Sequence, residues 1–358
     1  MRITAVHGYL LPRRPNPLHY RWRDGIPGSD PFVQPAILQI ATDEGIDGLV
    51  EVQRGRMAMD VIERRLQPML VGEDPLLRER LWERIWAIDH IEDLPLHLLG
   101  VTDLALWDIL SKHSGVPVYK LLGGMRAALP AYASTVTFDT VEEYLEVADQ
   151  CLELGYRAIK LHAWGDVRRD GLLAQAMREH VGDDIVLLYD GSAAFDLYDA
   201  IRLGRALYDL GFAWYEEPIL DASISAYRAL REKVEIPLLV SEHADGVHYN
   251  MADFVHFSAG DLVRTSWRLK GGLTGALRIA LLASAFQLRA EVHGGGMANL
   301  QLGCAIPNTT YYEAMIRDNP VTPEPLVGRD GMAQATEELG VRSVLDFDAA
   351  IAQAIERV

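Results

Sequence analysis

From about residue 131 onward the chain keeps one rhythm: short apolar runs separated by longer amphipathic stretches. The runs fall at 131–136, 158–162, 185–190, 212–216, 238–242, 262–266, 290–293 and 309–313. The amphipathic stretches fall at 141–154, 172–180, 198–210, 223–233 and 272–286. Eight strands in strand–helix alternation predict an α/β fold, a closed parallel (β/α)-barrel rather than an open sheet. Little room is left for a long helix between the last two runs.

The stretch before the barrel reads differently. PAILQIA, the turn TDEG and a second run ending at Val52 predict a hairpin, preceded by a first strand from Ile3 to about Leu11. Helical spacing follows, with Val61, Leu66, Met69 and Leu70 on one face. Further helices are expected near 76–86 and 98–113, the last stopped by the Gly and Pro of SGVPVYKLLGG. This predicts an α+β capping domain over 1–125, a barrel over 126–325, and a C-terminal segment over 326–358 that returns to the cap rather than adding to the barrel. The length of 358 residues suits a barrel plus a smaller domain.

The net charge of −17 disfavours nucleic acid and anionic membrane as partners, since both reward clustered Lys and Arg. No apolar run is long enough for a membrane span. The N-terminal residues lack the pattern of a secretion signal, and Cys151 and Cys304 have no metal-like spacing, so two reduced thiols in a cytoplasmic protein are expected. A small anionic substrate can bind such a chain only where local cations override the global field, and a divalent metal is the simplest of these.

Three predicted strands end in carboxylates: Asp190 after VLLY, Glu216 after FAWY and Glu242 after PLLVS. The spacing is 26 residues in both gaps, one β/α unit, which predicts three carboxylates at one level around the C-terminal mouth, where such barrels keep their chemistry. A single strand-end carboxylate is ordinarily an N-cap for the next helix. Three in phase repel one another unless a cation sits among them, and hard oxygen ligands suit Mg2+. Lys160 and His162, in AIKLH, point to one side of their strand by their i, i+2 spacing and read as acid–base equipment, or else as a solvated strand end. His293 ends AEVH and Glu313 ends TTYYE on the far side. A turn-capping role is the alternative for that His. His243, His248 and His256 show no ligand spacing and read as surface or structural residues.

These residues in this order resemble the mandelate racemase branch of the enolase superfamily over nearly the whole chain. The motifs are VTDLALWDILSKHSGVPVYKLLGG, IKLH, LLYD, WYEEP, VSE, KGGLTG and EVH. The resemblance implies a modified TIM barrel, removal of the proton beside a substrate carboxylate, and homo-oligomers. It implies Mg2+ on Asp190, Glu216 and Glu242, with Glu217 just outside them. Lys160 would lie against the substrate carboxylate and the base. His162 stands where the family has a lysine base, and an imidazole can serve there because its kind titrates near neutrality. His293 would act on the opposite face. Glu313 would bind the substrate carboxylate. Ser266 stands where the family has the Asp that holds this His. A serine cannot stabilise imidazolium with a full charge, which predicts a His293 that is less basic than usual and a better acid than base.

That asymmetry favours elimination of water over two-base racemisation. The reading is an acid-sugar dehydratase acting on an aldonate or aldarate. The alternatives are a racemase or epimerase of a 2-hydroxy or amino acid, and a metal-binding barrel without turnover. A metal-dependent hydrolase would want histidine ligands. The loop over 15–32 is the expected lid. Its His19, Tyr20, Arg21 and Arg23 are the candidate substrate-binding groups, with Gly25 and Gly28 as hinges; a solvated linker would carry the same residues.

Overall fold

The computed structural model describes residues 1–26, 29–341 and 345–358. Gly28 therefore lies outside the described residues, as does part of the apolar run near the C-terminus. Ile3–Leu10, Ala36–Thr42 and Gly48–Val52 form an antiparallel sheet, with the last two joined as the expected hairpin. Glu356–Arg357 adds to its edge by pairing with Tyr9 and Leu10. The helices Arg78–Glu92 and Leu96–Ser114 pack behind this sheet. The second is buried almost along its length because its apolar residues surround it, and it touches both the sheet and the barrel helix Gly272–Ala285.

The eight parallel barrel strands are Ala128–Thr135, Ala158–His162, Val186–Asp190, Tyr215–Glu216, Leu238–Val240, Leu262–Thr265, Arg289–Val292 and Tyr312–Ile316. Numbered one to eight along the chain, they are hydrogen-bonded in the order 7-6-5-4-3-2-1-8. Among the described residues no ladder joins strands seven and eight. One backbone bond, Ala290 N to Asn308 O, lies at the lower end of that seam, and side chains span the rest. Glu291 accepts from the hydroxyls of Thr309 and Thr310, and Glu313 accepts from Gly294 N at 2.7 Å.

Two helices depart from expectation. Val247–His256 lies between strands five and six, and its buried face is Val247, Met251, Phe254 and Val255. Met297–Ala305, nine residues, fits between strands seven and eight. The segment after residue 325 also takes part in the barrel sheet: Met332–Gln334 pairs antiparallel with strand one at Ala128–Pro130. The outward edge of strand one at its entry to the barrel offers free backbone groups, and this short strand satisfies them.

Candidate active site

Strand register brings the first part of the site together. His162 is the partner of Asp190, and Asp190 of Glu216, so three strand ends share one level. Glu216 is also paired in phase with Leu239, so Glu242 sits three residues further up strand five and reaches the cluster from above. All three carboxylates are buried. Each has non-glycine backbone in the left-handed region close by: Ser192 and Ala193 after Asp190, Glu217 after Glu216, and Ser241 before Glu242. Such conformations cost about 1–3 kcal/mol each and collect where chain direction is dictated by function.

Lys160, fully buried, holds the centre. Its ammonium lies 3.0 Å from Asp190, 2.9 Å from Glu216 and 2.9 Å from Glu313. Burial opposes its charge, but Glu216, Glu313, the Tyr132 phenol and Asp190 together keep its pKa well above the ordinary lysine range. Arg264, in the middle of strand six, was not foreseen. Its guanidinium, also fully buried, forms a two-armed pair with both oxygens of Glu216 and donates to Tyr132 Oη at 3.0 Å and Val292 O at 3.2 Å. The signal was available: a lone Arg in a strand buried on both faces must point inward and be paired.

Even with two cations, burial and the charges of Asp190 and Glu242 push Glu216 up to about 8, against the pull of Arg264 and Lys160. Carboxylates that cannot all ionise together, a buried Glu242 Oε2 without a hydrogen bond, and ligand atoms of Glu216, Glu242 and His293 within 4.8 Å of one another fit a hard divalent cation. Asp190, the third expected ligand, lies outside that group of three and is held by Lys160 and His162, each at 3.0 Å.

The two histidines stand on different sides of this ring. His162 turns Nδ1 to Thr135 O at 2.6 Å and Nε2 to Asp190 at 3.0 Å. The Trp22 ring covers it, 4.6 Å between centroids. His293 points Nδ1 at Glu242, 3.1 Å, and at Glu313, 3.4 Å. Burial opposes its charge, yet these two carboxylates push its pKa up to about 10. The expected weakly basic His293 is thus corrected. Ser266 does not hold it; the Ser266 hydroxyl accepts instead from Leu269 N in the turn after strand six. The imidazolium is supported by Glu242 and Glu313 in place of an Asp.

Glu313 accepts from Ser134 Oγ at 2.8 Å as well as from Lys160 and Gly294 N. Glu217 lies beside Glu242, their ligand atoms and those of His243 within 4.8 Å of one another, and accepts from His243 Nδ1 at 2.9 Å, while His243 Nε2 comes within 3.5 Å of Glu242. Burial lifts Glu217 to about 7, and its hydrogen bond lifts His243 to about 9. His243 is therefore part of the surroundings of Glu242, contrary to its reading as an unrelated surface residue.

The loop after residue 15 lies over this mouth, but its cations are engaged elsewhere. Arg21 donates to Phe138 O and Asp139, and Arg23 Nε to Ser192 O at 2.8 Å. His19 Nδ1 contacts Ser29 O at 2.7 Å, within the loop itself. Of the four residues singled out, Tyr20 packs edge-on against Trp22, the ring over His162. It lines a cavity with Pro17, His19, Arg317 and Asp318.

Comparison with known proteins agrees with this geometry. Residues 143–349 match the enolase C-terminal domain-like family, and 32–123 match the mandelate racemase/muconate lactonizing enzyme N-terminal domain. The chain is 28% identical over 345 residues to a 3,6-anhydro-alpha-L-galactonate cycloisomerase of Streptomyces coelicolor, covering 93% of this chain and 94% of that protein. D-glucarate dehydratase from Agrobacterium tumefaciens, crystallised with magnesium, superposes with a TM-score of 0.88 at 32% identity, covering 100% of this chain and 99% of that one. A racemase from Streptomyces coelicolor with bound magnesium superposes with a TM-score of 0.87 at 26% identity, covering 99% and 100%. The chain belongs to the enolase superfamily, in its mandelate racemase/muconate lactonizing enzyme branch.

Proposed function

We propose that this protein is a Mg2+-dependent acid-sugar dehydratase that converts an aldonate or aldarate to the 2-keto-3-deoxy acid. The observation that carries the reading is the placement of His162 and His293 on different sides of one ring of carboxylates, with unlike partners. Asp190, Glu216 and Glu242 would hold the cation. When bound, it supplies positive charge that stabilises the doubly anionic enediolate.

The remaining steps belong to side chains. Lys160 and Glu313, already joined at 2.9 Å, border the place where the substrate carboxylate would lie. Thr135 O orients the His162 ring through Nδ1, and Nε2, which faces Asp190 at 3.0 Å, is the atom that would take the proton from C2. Trp22 excludes water above it. His293, whose Nδ1 also lies 3.4 Å from Glu313, gives its proton to the C3 hydroxyl, which leaves as water. The C2–C3 enol then tautomerises to the ketone. The unlike settings of the two histidines support elimination over a symmetric racemisation.

The test is incubation of the Mg2+-loaded protein with a library of aldonic and aldaric acids, read with semicarbazide for 2-keto product. One strong substrate, lost on His162→Ala and on EDTA treatment, supports the reading. Deuterium washed from D2O into unchanged acid without keto product would assign racemisation instead. A protein that binds Mg2+ but exchanges no acid's α-proton would be a silent barrel.

A further inference from the structure

Glu242 has a different histidine near each of its oxygens. Its Oε2 lies 3.1 Å from His293 Nδ1, and its Oε1 lies 3.5 Å from His243 Nε2. A second carboxyl joins each histidine, and the two carboxyls are consecutive: Glu216 with His293, and Glu217 with His243. Successive side chains of a regular strand face opposite ways. Glu217 stands at φ +35, outside the extended region, and this break in the alternation leaves both carboxyls beside Glu242. In each set of three the ligand atoms lie within 4.8 Å of one another. The first set overlaps the Mg2+ site through Glu216 and Glu242. The second, Glu217, Glu242 and His243, has no part in that reading.

The surroundings of the second set favour a cation. Glu217 and Glu242 are both buried. Lys160 and Arg264 pair with other carboxylates of the ring, and among the described residues the one ion-pair partner of Glu217 is His243, at 2.9 Å. Lys270 is the buried lysine on this side. It donates to Ala244 O at 2.6 Å and enters no ion pair among the described residues. Glu242 also keeps a buried Oε2 with no hydrogen bond, although a histidine stands near each of its oxygens. A buried carboxyl with an oxygen left over is costly unless a cation takes it. The His243 side chain is 60% exposed, so the set opens to solvent on one side. An ion could enter there and keep water in its shell.

We infer that Glu217, Glu242 and His243 form a second divalent-cation site, with Glu242 bridging it to the first. One imidazole and two carboxylates suit a borderline first-row ion such as Mn2+ or Zn2+ better than Mg2+, which favours all-oxygen surroundings. This ion holds Glu242 from its outer side and carries no step of the proposed elimination. The inference stands whether or not the protein dehydrates acid sugars.

The experiment uses the full chain stripped with EDTA and Mn2+ alone as the probe. Bound Mn2+ is counted by equilibrium dialysis and examined by electron paramagnetic resonance. The parent should take two Mn2+ per chain. Their signal should be broadened by coupling, since two-metal sites hold their ions about 3.5–4 Å apart. His243→Ala and Glu217→Gln should each leave one Mn2+ per chain with the signal of an isolated ion. That remaining ion, with circular dichroism, establishes that each variant is folded. One Mn2+ per chain in the parent, two without coupling, or a second ion that survives both variants would overturn the proposal. The outcome separates from the dehydratase test, because it needs no substrate. Turnover of an acid by a protein that binds one ion sinks only the second site, and two coupled ions without turnover of any acid sink only the dehydratase.

Discussion

Replacing Arg264 by Met removes a cation from the middle of the site while keeping most of the side-chain volume. The parent guanidinium has four donor contacts, two of them to Glu216, and both residues are fully buried. Breaking a buried pair by removing one partner costs about 3–5 kcal/mol, because the other group is left buried without its partner. Unfolding entropy for a chain of 358 residues is about 0.75 kcal/mol per kelvin, so the midpoint should fall by about 4–7 °C. Calorimetric melting in EDTA measures this. Glu216→Gln alone should cost a similar amount, and the double variant should cost less than the sum by at least about 1.5 kcal/mol. Saturating Mg2+ should narrow the gap, since the variant offers the cation a more negative site. Additive losses, or a melting point within a degree of the parent, would show that Glu216 is held by something other than Arg264.

Three further outcomes follow from the geometry. Gly272 has φ +84 and an added Cβ would meet Asp103 Oδ2 at 2.3 Å, so Gly272→Ala should cost about 2 kcal/mol or more in urea unfolding. Asp103 is buried and raised to about 6, first by burial and against its bonds to Thr274. The native state therefore holds this proton more firmly than the unfolded chain does. Stability from that source is present below about pH 4 and is lost as pH rises through 6, a change of about 3 kcal/mol that Asp103→Asn should remove from the parent-minus-variant pH profile. Trp22→Ala should lower turnover about tenfold or more while Mg2+ affinity stays within about twofold, because the ring packs on His162; equal losses in both would place Trp22 in support of the metal site.

Much of this molecule could be read from its residues, and the exceptions have physical causes. Strand two and its His162 and Lys160 fall where the apolar pattern puts them, because both faces of a barrel strand are buried and the charged groups can only gather at its end. The run FAWYE suggests five strand residues; the regular strand is Tyr215–Glu216, with Ala213 and Trp214 also bonded through their backbone to strand three. The helix Val247–His256 was hidden by polar residues on its outer face, although its apolar residues kept helical spacing. Arg21, Arg23 and Arg264 were misjudged or missed for one reason. Apart from contacts of Arg21 and Arg23 with Asp24, the partners lie between 28 and 170 residues away, and sequence gives a charge without saying what it will face.

The open seam between strands seven and eight has a bearing on motion. Between the other described neighbours around the barrel, separating two strands breaks a row of main-chain bonds at once, whereas here the bonds are one main-chain link and a few side-chain contacts. One of those side chains, Glu313, also belongs to the mouth. Amide exchange should therefore be fastest along this line, and a molecule bound at Glu313 should slow it, so that occupancy is felt as stiffness in the wall.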